Sequence, residues 1–246
     1  MKLRVIGSSS AGNGYVLTNG SETLVIEAGL HYRDVKKAIN FNVSSINAVL
    51  VSHSHTDHAA YILEYVKEGL EVIAPPGVVP SSFSNITLVN RSTLNEAGKT
   101  VRAGRFQILP FHVVHDVPCF GYLIQHPDCG KVVFITDTHY SPVKFKGINH
   151  FIIEANYSES ILEYNLRRGK INYAYYERVL RSHMSIETSL KLLKANDLTN
   201  TRSITLIHLS DHNSDERLFK ETITTETGIP VNIADAGREF DLSINF

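Results

Sequence analysis

Apolar runs and helical periodicities alternate along the first third of the chain. INAVLVSH (46–53) is a continuous apolar run, which is typical of a strand buried on both faces. GYVLTNGSETLVIEAG (14–29) predicts a β-hairpin that turns at Asn19 and Gly20, two residues that tolerate positive φ. The same pattern predicts these further elements: strands in 2–7 and 70–77, and helices in 31–40 and 58–69, the last ended by Gly69.

The middle of the chain changes character twice. Residues 81–105 are polar and poorly periodic, which predicts short strands and loops, or an arm that packs on a partner subunit or borders its active site. Three apolar runs follow, with turn residues at 127–130, and they favour an antiparallel meander. The remaining predicted elements are strands in 106–116, 120–127, 131–138, 150–157, 203–211 and 229–235, and helices in 158–169, 185–197 and 214–225.

The predicted strands fall into two blocks, and each block is accompanied by helices. This order indicates the α/β class, with two sheets packed face to face and helices on the outer faces, which is a four-layer αββα sandwich. Such a sandwich brings its strand ends together along one rim. No repeat or linker divides the sequence, so we expect a single domain over residues 1–246.

Composition narrows the range of partners. The 246 residues are 43% hydrophobic, and 24 Lys and Arg balance 25 Asp and Glu. The absence of a long basic run mildly favours a small substrate over long nucleic acid, although folding can assemble a local basic patch. Cys119 and Cys129 predict neither a disulfide framework nor a cysteine zinc site. No apolar segment is long enough to span a bilayer, so we expect a cytoplasmic protein with no membrane partner.

Histidine is the compositional outlier, and four potential metal ligands follow one strand. In the stretch SHSHTDH, His53 and His55 lie two residues apart, which leaves both on one side of an extended segment. Asp57 and His58 follow where the chain enters a helix. Imidazole nitrogens and carboxylate oxygens are the ligands that zinc takes in proteins. The motif therefore predicts ligands for two neighbouring ions.

Two coordination spheres need further ligands, and three downstream residues stand where apolar runs give way to polar residues. These are His115, Asp137 and His208. We expect one ion to be bound by His53, His55 and His115, and the other by Asp57, His58 and His208, with Asp137 bridging them. An odd spacing on a strand places His112 and His115 on opposite faces, and His115 is favoured because it ends the apolar run and begins HDVP.

This ordered set resembles the metallo-β-lactamase superfamily, in the hydrolase branch that has an aspartate at the bridging position. The resemblance covers essentially the whole chain. It is carried also by GSSSAGNGYVL (7–17), HDVPCFGYLI (115–124), ITDTHY (135–140) and IHLSDHN (207–213), which are similar to the YycJ/WalJ-type branch and its phosphodiesterase relatives. Within that group the sequence also resembles the phage anti-Pycsar phosphodiesterases, which degrade cyclic mononucleotides.

The resemblance implies two divalent ions, zinc first and manganese second, that activate a water and neutralise phosphoryl charge. It implies that Asp57 orients this water and that His183, in RSHMS, protonates the leaving oxygen or contacts the phosphate. Substrate contacts are expected at Ser185, Asn213 and Asn13, although helix capping and turn formation explain these residues equally well. Glu27 stands where relatives commonly have aspartate. If its carboxylate contacts a metal-binding histidine, it must do so with a different side-chain geometry.

The leading functional hypothesis is a dinuclear phosphodiesterase that hydrolyses small nucleotide diesters such as the cyclic mononucleotides cCMP and cUMP, as a homodimer, in the host cytoplasm if a phage encodes it. The alternative is a YycJ-like 5′-to-3′ DNA exonuclease, and a thioesterase or lactonase is disfavoured by His183. A basic groove beside the metals favours the nuclease, and a closed pocket with an aromatic wall favours the small ester. Tyr173, Tyr175 and Tyr176 are expected to pack against a helix or sheet, with base stacking or a dimer contact as alternatives.

Overall fold

The computed structural model describes residues 1–78 and 100–244. In this part of the chain the strands are β1 (Lys2–Ser9), β2 (Gly12–Thr18), β3 (Thr23–Ile26), β4 (Ile46–Leu50), β5 (Val72–Ile73), β6 (Val101–Ala103), β7 (Phe106–His112), β8 (Phe120–His126), β9 (Gly130–Ile135), β10 (His150–Glu154), β11 (Ser203–Ile207), β12 (Val231–Ile233) and β13 (Glu239–Asp241). They form a six-stranded sheet in the order β13-β1-β2-β3-β4-β5 and a seven-stranded sheet in the order β12-β11-β10-β9-β8-β7-β6.

Helices flank both sheets. In chain order the described helices are α1 (Tyr32–Ala38), α2 (Thr56–Ala59), α3 (Ile62–Lys67), α4 (Glu159–Arg167), α5 (Tyr173–Ser182), α6 (Ile186–Lys194) and α7 (Glu216–Thr227), with a short 3₁₀ turn at Val43–Ser45. No helix among the described residues combines the length and the apolarity needed to cross a membrane.

Side chains of the first sheet point alternately to its two faces and pack in two separate apolar cores. Leu24 and Ile26 point into the core between the sheets, whereas Val25 packs on the outer side with Tyr32 of α1 and Tyr65 of α3. Successive side chains of a strand leave opposite faces, so one apolar run supplies both cores. Burial of each large apolar side chain stabilises the fold by about 2 kcal/mol.

The second sheet repeats this arrangement on its own outer face. Phe134 lies in the core between the sheets, while Val133 and Ile135 pack beneath α6 and α7, against Leu193 and Phe219. The layers are therefore helix, sheet, sheet and helix, which confirms the predicted αββα sandwich.

A buried tyrosine links the two sheets near the rim through hydrogen bonds. The Tyr122 hydroxyl of β8 lies 2.6 Å from the carbonyl oxygen of Val51 and 2.9 Å from that of Ile73, both in the other sheet. These carbonyls stand at the ends of β4 and β5, where the strand pairing finishes. The bonds hold the segment that leads directly into His53.

Several element predictions need correction. The helix predicted over 58–69 begins at Thr56 and is broken into α2 and α3, because the Tyr61 amide donates to the Ala28 carbonyl oxygen instead of continuing the helix. Strand β7 ends at His112, so His115 lies in the following loop. Helix α5 and strand β13 were not predicted. Of the polar segment 81–105, residues up to 99 lie outside the described part, and Val101–Ala103 forms β6.

The predicted hairpin and meander are confirmed. Strands β2 and β3 pair antiparallel with Thr18 opposite Thr23, and Gly20 in the connecting turn has a φ of 94°. Strands β7, β8 and β9 form the antiparallel meander. From β9 to β12 the strands run parallel, which places several strand ends on one edge.

Candidate metal centre

The candidate ligands converge where parallel strands end. Strands β3 and β4 are parallel in one sheet, and β9, β10 and β11 are parallel in the other. The carboxyl ends of parallel strands meet at one edge, which is where open α/β sheets bind ligands. The loop after β4 supplies His53 and His55, helix α2 supplies Asp57 and His58, and the loop after β7 supplies His115.

Three buried residues just beyond strand ends adopt left-handed backbone conformations. The φ angles are 69° for Glu27 after β3, 44° for Asp137 after β9 and 55° for His208 after β11. Such conformations are uncommon for residues other than glycine and cost of order 1 kcal/mol each. The surrounding packing holds this strain at the rim, where it turns each side chain towards the cluster.

Glycine is required where α2 meets the first sheet. A Cβ atom placed on Gly29 would lie 1.8 Å from the carbonyl oxygen of Asp57, far inside contact distance. The Gly29 amide donates to the Asn13 carbonyl oxygen, and the Ala28 amide donates to that of His58. This close approach fixes the backbone that presents Asp57 and His58.

The first cluster contains His53, His55 and His115 together with Asp137. One ligand atom from each lies within 4.8 Å of the others. The Nδ1 atom of His53 lies 2.9 Å from the Ser52 hydroxyl, which leaves its Nε2 atom buried with no hydrogen-bond partner among the described residues. A buried nitrogen without a partner is costly unless a ligand satisfies it.

The second cluster contains Asp57, His58 and His208, again with Asp137. His58 Nε2 lies 3.3 Å from Asp137 Oδ1, and His208 Nε2 lies 3.3 Å from Asp57 Oδ2. The other oxygen of Asp137, Oδ2, lies 3.8 Å from His53 Nε2. The two carboxylate oxygens of Asp137 therefore face different clusters, and all seven residues expected from the sequence are brought together.

Two imidazoles of the first cluster, those of His53 and His115, are held in the neutral form. Burial is the main cause and the neighbouring His58 a smaller one, and together they lower the pKa of His53 to about 2. Burial also lowers the pKa of His115, more than the nearby Asp137 and Asp116 carboxylates raise it. Neutral imidazole is the form that binds metal ions, since a lone pair is then free.

In the second cluster, nearby carboxylates outweigh burial and raise the pKa values of the two histidines. Burial disfavours the charged form of His208, but the Asp137 carboxylate and hydrogen bonds to Asp57 and Glu154 raise its pKa to about 10. Burial likewise opposes the charge of His58, yet Asp137 and Glu27 raise its pKa well above the usual value. The positive charge of protonated His58 and His208 offsets the negative charge of the buried carboxylates. Divalent cations would supply the same positive charge. The donor set thus fits metal ions in both clusters.

A buried carboxylate that the sequence prediction missed joins the centre. Glu154, the last residue of β10, has no exposed surface and lies 2.6 Å from His183 Nδ1 and 3.1 Å from His208 Nδ1 through Oε1. The sequence signal was available, because Glu154 ends an apolar run just as Asp137 does. The predicted ligands at the ends of apolar runs are all histidine or aspartate, so Glu154 is not among them.

The clusters open into a cavity of about 210 Å³. His183 lies on its wall and follows the last residue of α5. The cavity also contains four residues that the sequence prediction did not identify: Ser10, Asp116, Arg178 and Ser182. Arg178 provides a guanidinium on the wall, and Asp116 lies 3.0 Å from His115 Nε2.

The three residues expected to touch substrate need correction, since all are buried and held by protein groups. Ser185 caps α6 by accepting the Thr188 amide. The side chain of Asn213 binds Asn165 and Ser210. None of these atoms belongs to the cavity lining.

Asn13 lies behind the ligands. Its Nδ2 atom is 3.2 Å from His58 Nε2 and 3.3 Å from the Asp57 carbonyl oxygen, and the Tyr15 hydroxyl donates to its Oδ1. Glu27 also supports His58, with Oε2 lying 3.4 Å from His58 Nδ1. The glutamate therefore reaches the histidine despite its extra methylene, because its left-handed backbone turns the side chain inward.

Comparison with known proteins identifies the family. The model of the β-lactamase superfamily domain matches residues 16–209, and the chain belongs to this superfamily. It is a hydrolase of the metallo-β-lactamase fold whose His and Asp clusters could hold metal ions.

Relatives of similar length match almost the whole chain. Exodeoxyribonuclease WalJ of Streptococcus pneumoniae is 27% identical over 247 residues, covering 92% of this chain and 87% of the relative. Exodeoxyribonuclease YycJ of Bacillus anthracis is 25% identical over 241 residues, covering 89% and 86%. Among solved structures, the metallo-β-lactamase fold protein YhfI from Bacillus subtilis superposes with a TM-score of 0.69 at 19% identity, covering 98% and 99% of the two chains.

Proposed function

We propose that the chain is a metal-dependent exodeoxyribonuclease that removes nucleotides from DNA in the 5′-to-3′ direction. The observation that carries this proposal is the character of the cavity. It is small and polar, and Arg178 stands on its wall. At about 210 Å³ it lies below the range of about 300 to 1,000 Å³ that encloses whole small ligands. It suits a scissile phosphate whose flanking nucleotides lie outside.

The cyclic-mononucleotide hypothesis is the weaker of the two. An enclosed small ester would call for an aromatic wall, and the described residues around the cavity include no ring other than those of histidines. The relatives that match over most of the chain are named exodeoxyribonucleases. Both observations support the alternative that the sequence left open.

The residues that would hold the metal ions are the seven of the two clusters. His53, His55 and His115 would bind one ion, and Asp57, His58 and His208 the other, with Asp137 shared between them. Bound together, two such cations activate water near neutral pH and neutralise charge on a phosphoryl group.

His183 serves as the general acid for the leaving oxygen. Burial opposes its charge, but the Glu154 carboxylate outweighs burial and the pKa of His183 is raised. Because Nδ1 faces Glu154, the proton on Nε2 is the one available to the substrate. A protonated imidazole held in one orientation is suited to donate to a departing 3′-oxygen.

Two further residues of the cavity wall, Arg178 and Asp57, can act on the phosphate and on the attacking water. The Arg178 guanidinium can bind a non-bridging phosphate oxygen, for which its planar set of donors is well suited. The Asp57 carboxylate lies in the wall with its charge retained, since hydrogen bonds from His208 and His58 hold its pKa far below the usual range in spite of burial. It can therefore orient the attacking water by accepting a hydrogen bond from it.

The experiment is a substrate panel with metal-loaded protein. Linear DNA labelled at either end, cyclic mononucleotides, bis-p-nitrophenyl phosphate and a thioester are incubated with the wild type and with His183→Ala. The proposal expects release of mononucleotides from the 5′ end and much slower hydrolysis of cyclic mononucleotides. Turnover of cyclic mononucleotides without hydrolysis of DNA would restore the first hypothesis, and cleavage of the thioester alone would reject both.

A further inference from the structure

The helical hairpin formed by α4 and α5 (159–182) concentrates positive charge in a chain of net charge −1. The hairpin has three acidic residues and five basic ones, the latter being Arg167, Arg168, Lys170, Arg178 and Arg181. Arg167 pairs with Glu163 and Arg181 with Glu177, and the other three cations are not paired with these glutamates. All five basic residues are exposed. The local patch that composition left open is therefore present, and it is next to the cavity.

Aromatic rings are interleaved with these cations. The Tyr164 ring is half exposed, and both Arg168 and Lys170 hold their cationic groups 5.6 Å from its centroid. Tyr173 is 65% exposed and stacks on Tyr176 with the centroids 6.1 Å apart. Exposed tyrosines flanked by Arg and Lys form the combination that binds single-stranded nucleic acid, because bases stack on rings while cations contact phosphates.

One row of α5 joins this surface to the cavity. Tyr175, Arg178 and Ser182 follow one another at helical spacings of three and four residues, so they lie on one side of the helix. The Arg178 guanidinium lies 5.3 Å from the centre of the Tyr175 ring. Arg178 and Ser182 both line the cavity, and His183 comes next. A strand held on the hairpin would therefore lead directly to the general acid.

We propose that the α4–α5 hairpin is the docking surface for the single-stranded DNA that adjoins the scissile phosphate. This inference rests on the proposed exonuclease function and names the part of the protein that grips the polymer. Helix α5 covers about 15 Å from Tyr173 to Ser182 at 1.5 Å per residue. At roughly 3.4 Å per stacked nucleotide, this distance corresponds to about four nucleotides.

Binding is measured with metal-loaded protein and a fluorescent, phosphorothioate-linked single strand of about twelve thymidines, which resists hydrolysis. The double variant Tyr164→Leu, Tyr173→Leu is expected to bind at least about thirtyfold more weakly, because it loses two base–aromatic stacks. The matched variant Tyr164→Phe, Tyr173→Phe keeps both rings and should bind within about twofold of wild type. Phe41→Ala removes a ring of similar exposure, 67%, from another part of the molecule and should leave affinity unchanged.

Charge and strand length give two independent readouts. Lys170→Gln should flatten the dependence of log affinity on log salt by about 0.7, the contribution of one phosphate contact on a single strand. The leucine double variant should raise KM for oligonucleotides of about eight residues while hydrolysing dinucleotides at the wild-type KM, because a dinucleotide is too short to reach Tyr173.

Wild-type affinity and KM in the leucine variant, with DNA still hydrolysed by both proteins, would overturn the docking surface and leave the exonuclease intact. A wild type that hydrolyses bis-p-nitrophenyl phosphate but neither binds nor cleaves DNA would overturn both. A change of molecular mass in the leucine variant with unaltered DNA affinity would also overturn the inference, because it would show the hairpin to be a subunit contact.

Discussion

His183 Nδ1 lies 2.6 Å from Oε1 of the fully buried Glu154, and the same Glu154 oxygen lies 3.1 Å from His208 Nδ1. A single carboxylate thus orients the candidate general acid and one of the candidate metal ligands. Groups that share such a partner are held at a fixed separation, which catalysis requires of an acid beside a reacting phosphate. The consequences for each residue can be measured separately.

Replacing His183 by alanine should lower kcat on DNA by about 10² to 10⁴, the range for loss of a general acid, while metal content stays at the wild-type level. The loss should be smaller with bis-p-nitrophenyl phosphate, because nitrophenolate leaves without a proton. Steady-state kinetics on both substrates, with metal analysis of the same samples, make the comparison. Equal losses on the two substrates would remove His183 from the role of proton donor.

Glu154→Gln should shift the pH dependence of DNA hydrolysis. The Glu154 carboxylate raises the pKa of His183 against the opposing effect of burial, so removing its charge lowers that pKa. A general acid must be protonated, and the alkaline limb of the rate profile should therefore move to lower pH in the variant. The measurement is kcat against pH for both proteins. An alkaline limb that does not move would contradict the pairing.

Gly29→Ala should disrupt the metal centre, since the new methyl group would collide with the Asp57 carbonyl oxygen. We expect metal affinity and turnover to fall together by at least about tenfold, because displacement of Asp57 removes one ligand of the second cluster. Isothermal titration with Mn²⁺ reports affinity, and circular dichroism checks the fold. Gly20→Ala is the control. Its φ is unfavourable for alanine, but no described residue lies within 4 Å of a Cβ atom placed there, so the change should cost about 1 kcal/mol of stability and leave metal affinity unchanged.

Glu22, which lies away from the metal clusters, should make the free energy of unfolding depend on pH. It is partly exposed, and although burial raises its pKa, hydrogen bonds from Arg105 and His126 lower it from 4.5 to about 2. A carboxylate with a depressed pKa stabilises the fold above its unfolded pKa, and this contribution is lost as the pH falls from about 4.5 towards 2.

Urea unfolding should therefore show that Glu22→Gln costs about 1.5 kcal/mol at pH 7 and little near pH 2. The exposed pair of Glu163 with Arg167 provides the control, because Glu163→Gln should cost less than about 0.5 kcal/mol. A Glu22→Gln cost that is the same at both pH values would refute the electrostatic explanation.

The sequence predicts the sandwich, and it predicts which seven side chains converge at the rim, because both depend on local patterns. Continuous apolar runs specify strands whose two faces serve two cores, and the residues from His53 to His58 include four candidate metal ligands. Asp137 and His208 were found because each follows an apolar run. The same rule applied to glutamate would have found Glu154.

Other features depend on long-range packing, which periodicity does not report. Arg178 reaches the cavity only because α5 ends there, and α5 itself begins in an aromatic run that was not assigned to a helix. Resemblance places Asn13 and Asn213 near the substrate, and the N-terminus of α6 suggests the same for Ser185, whereas the structure buries all three side chains. The single domain and the homodimer stay predictions.

We expect the seven convergent side chains to hold two metal ions that DNA hydrolysis requires. Metal analysis by mass spectrometry of purified, DNA-hydrolysing protein tests it directly, with Asp137→Ala in parallel. The account predicts about two divalent ions per wild-type chain. It also predicts a clear loss of bound metal and no turnover in Asp137→Ala, because both clusters lose their shared carboxylate. Hydrolysis of DNA by protein free of bound metal, or full metal content and activity in Asp137→Ala, would contradict it.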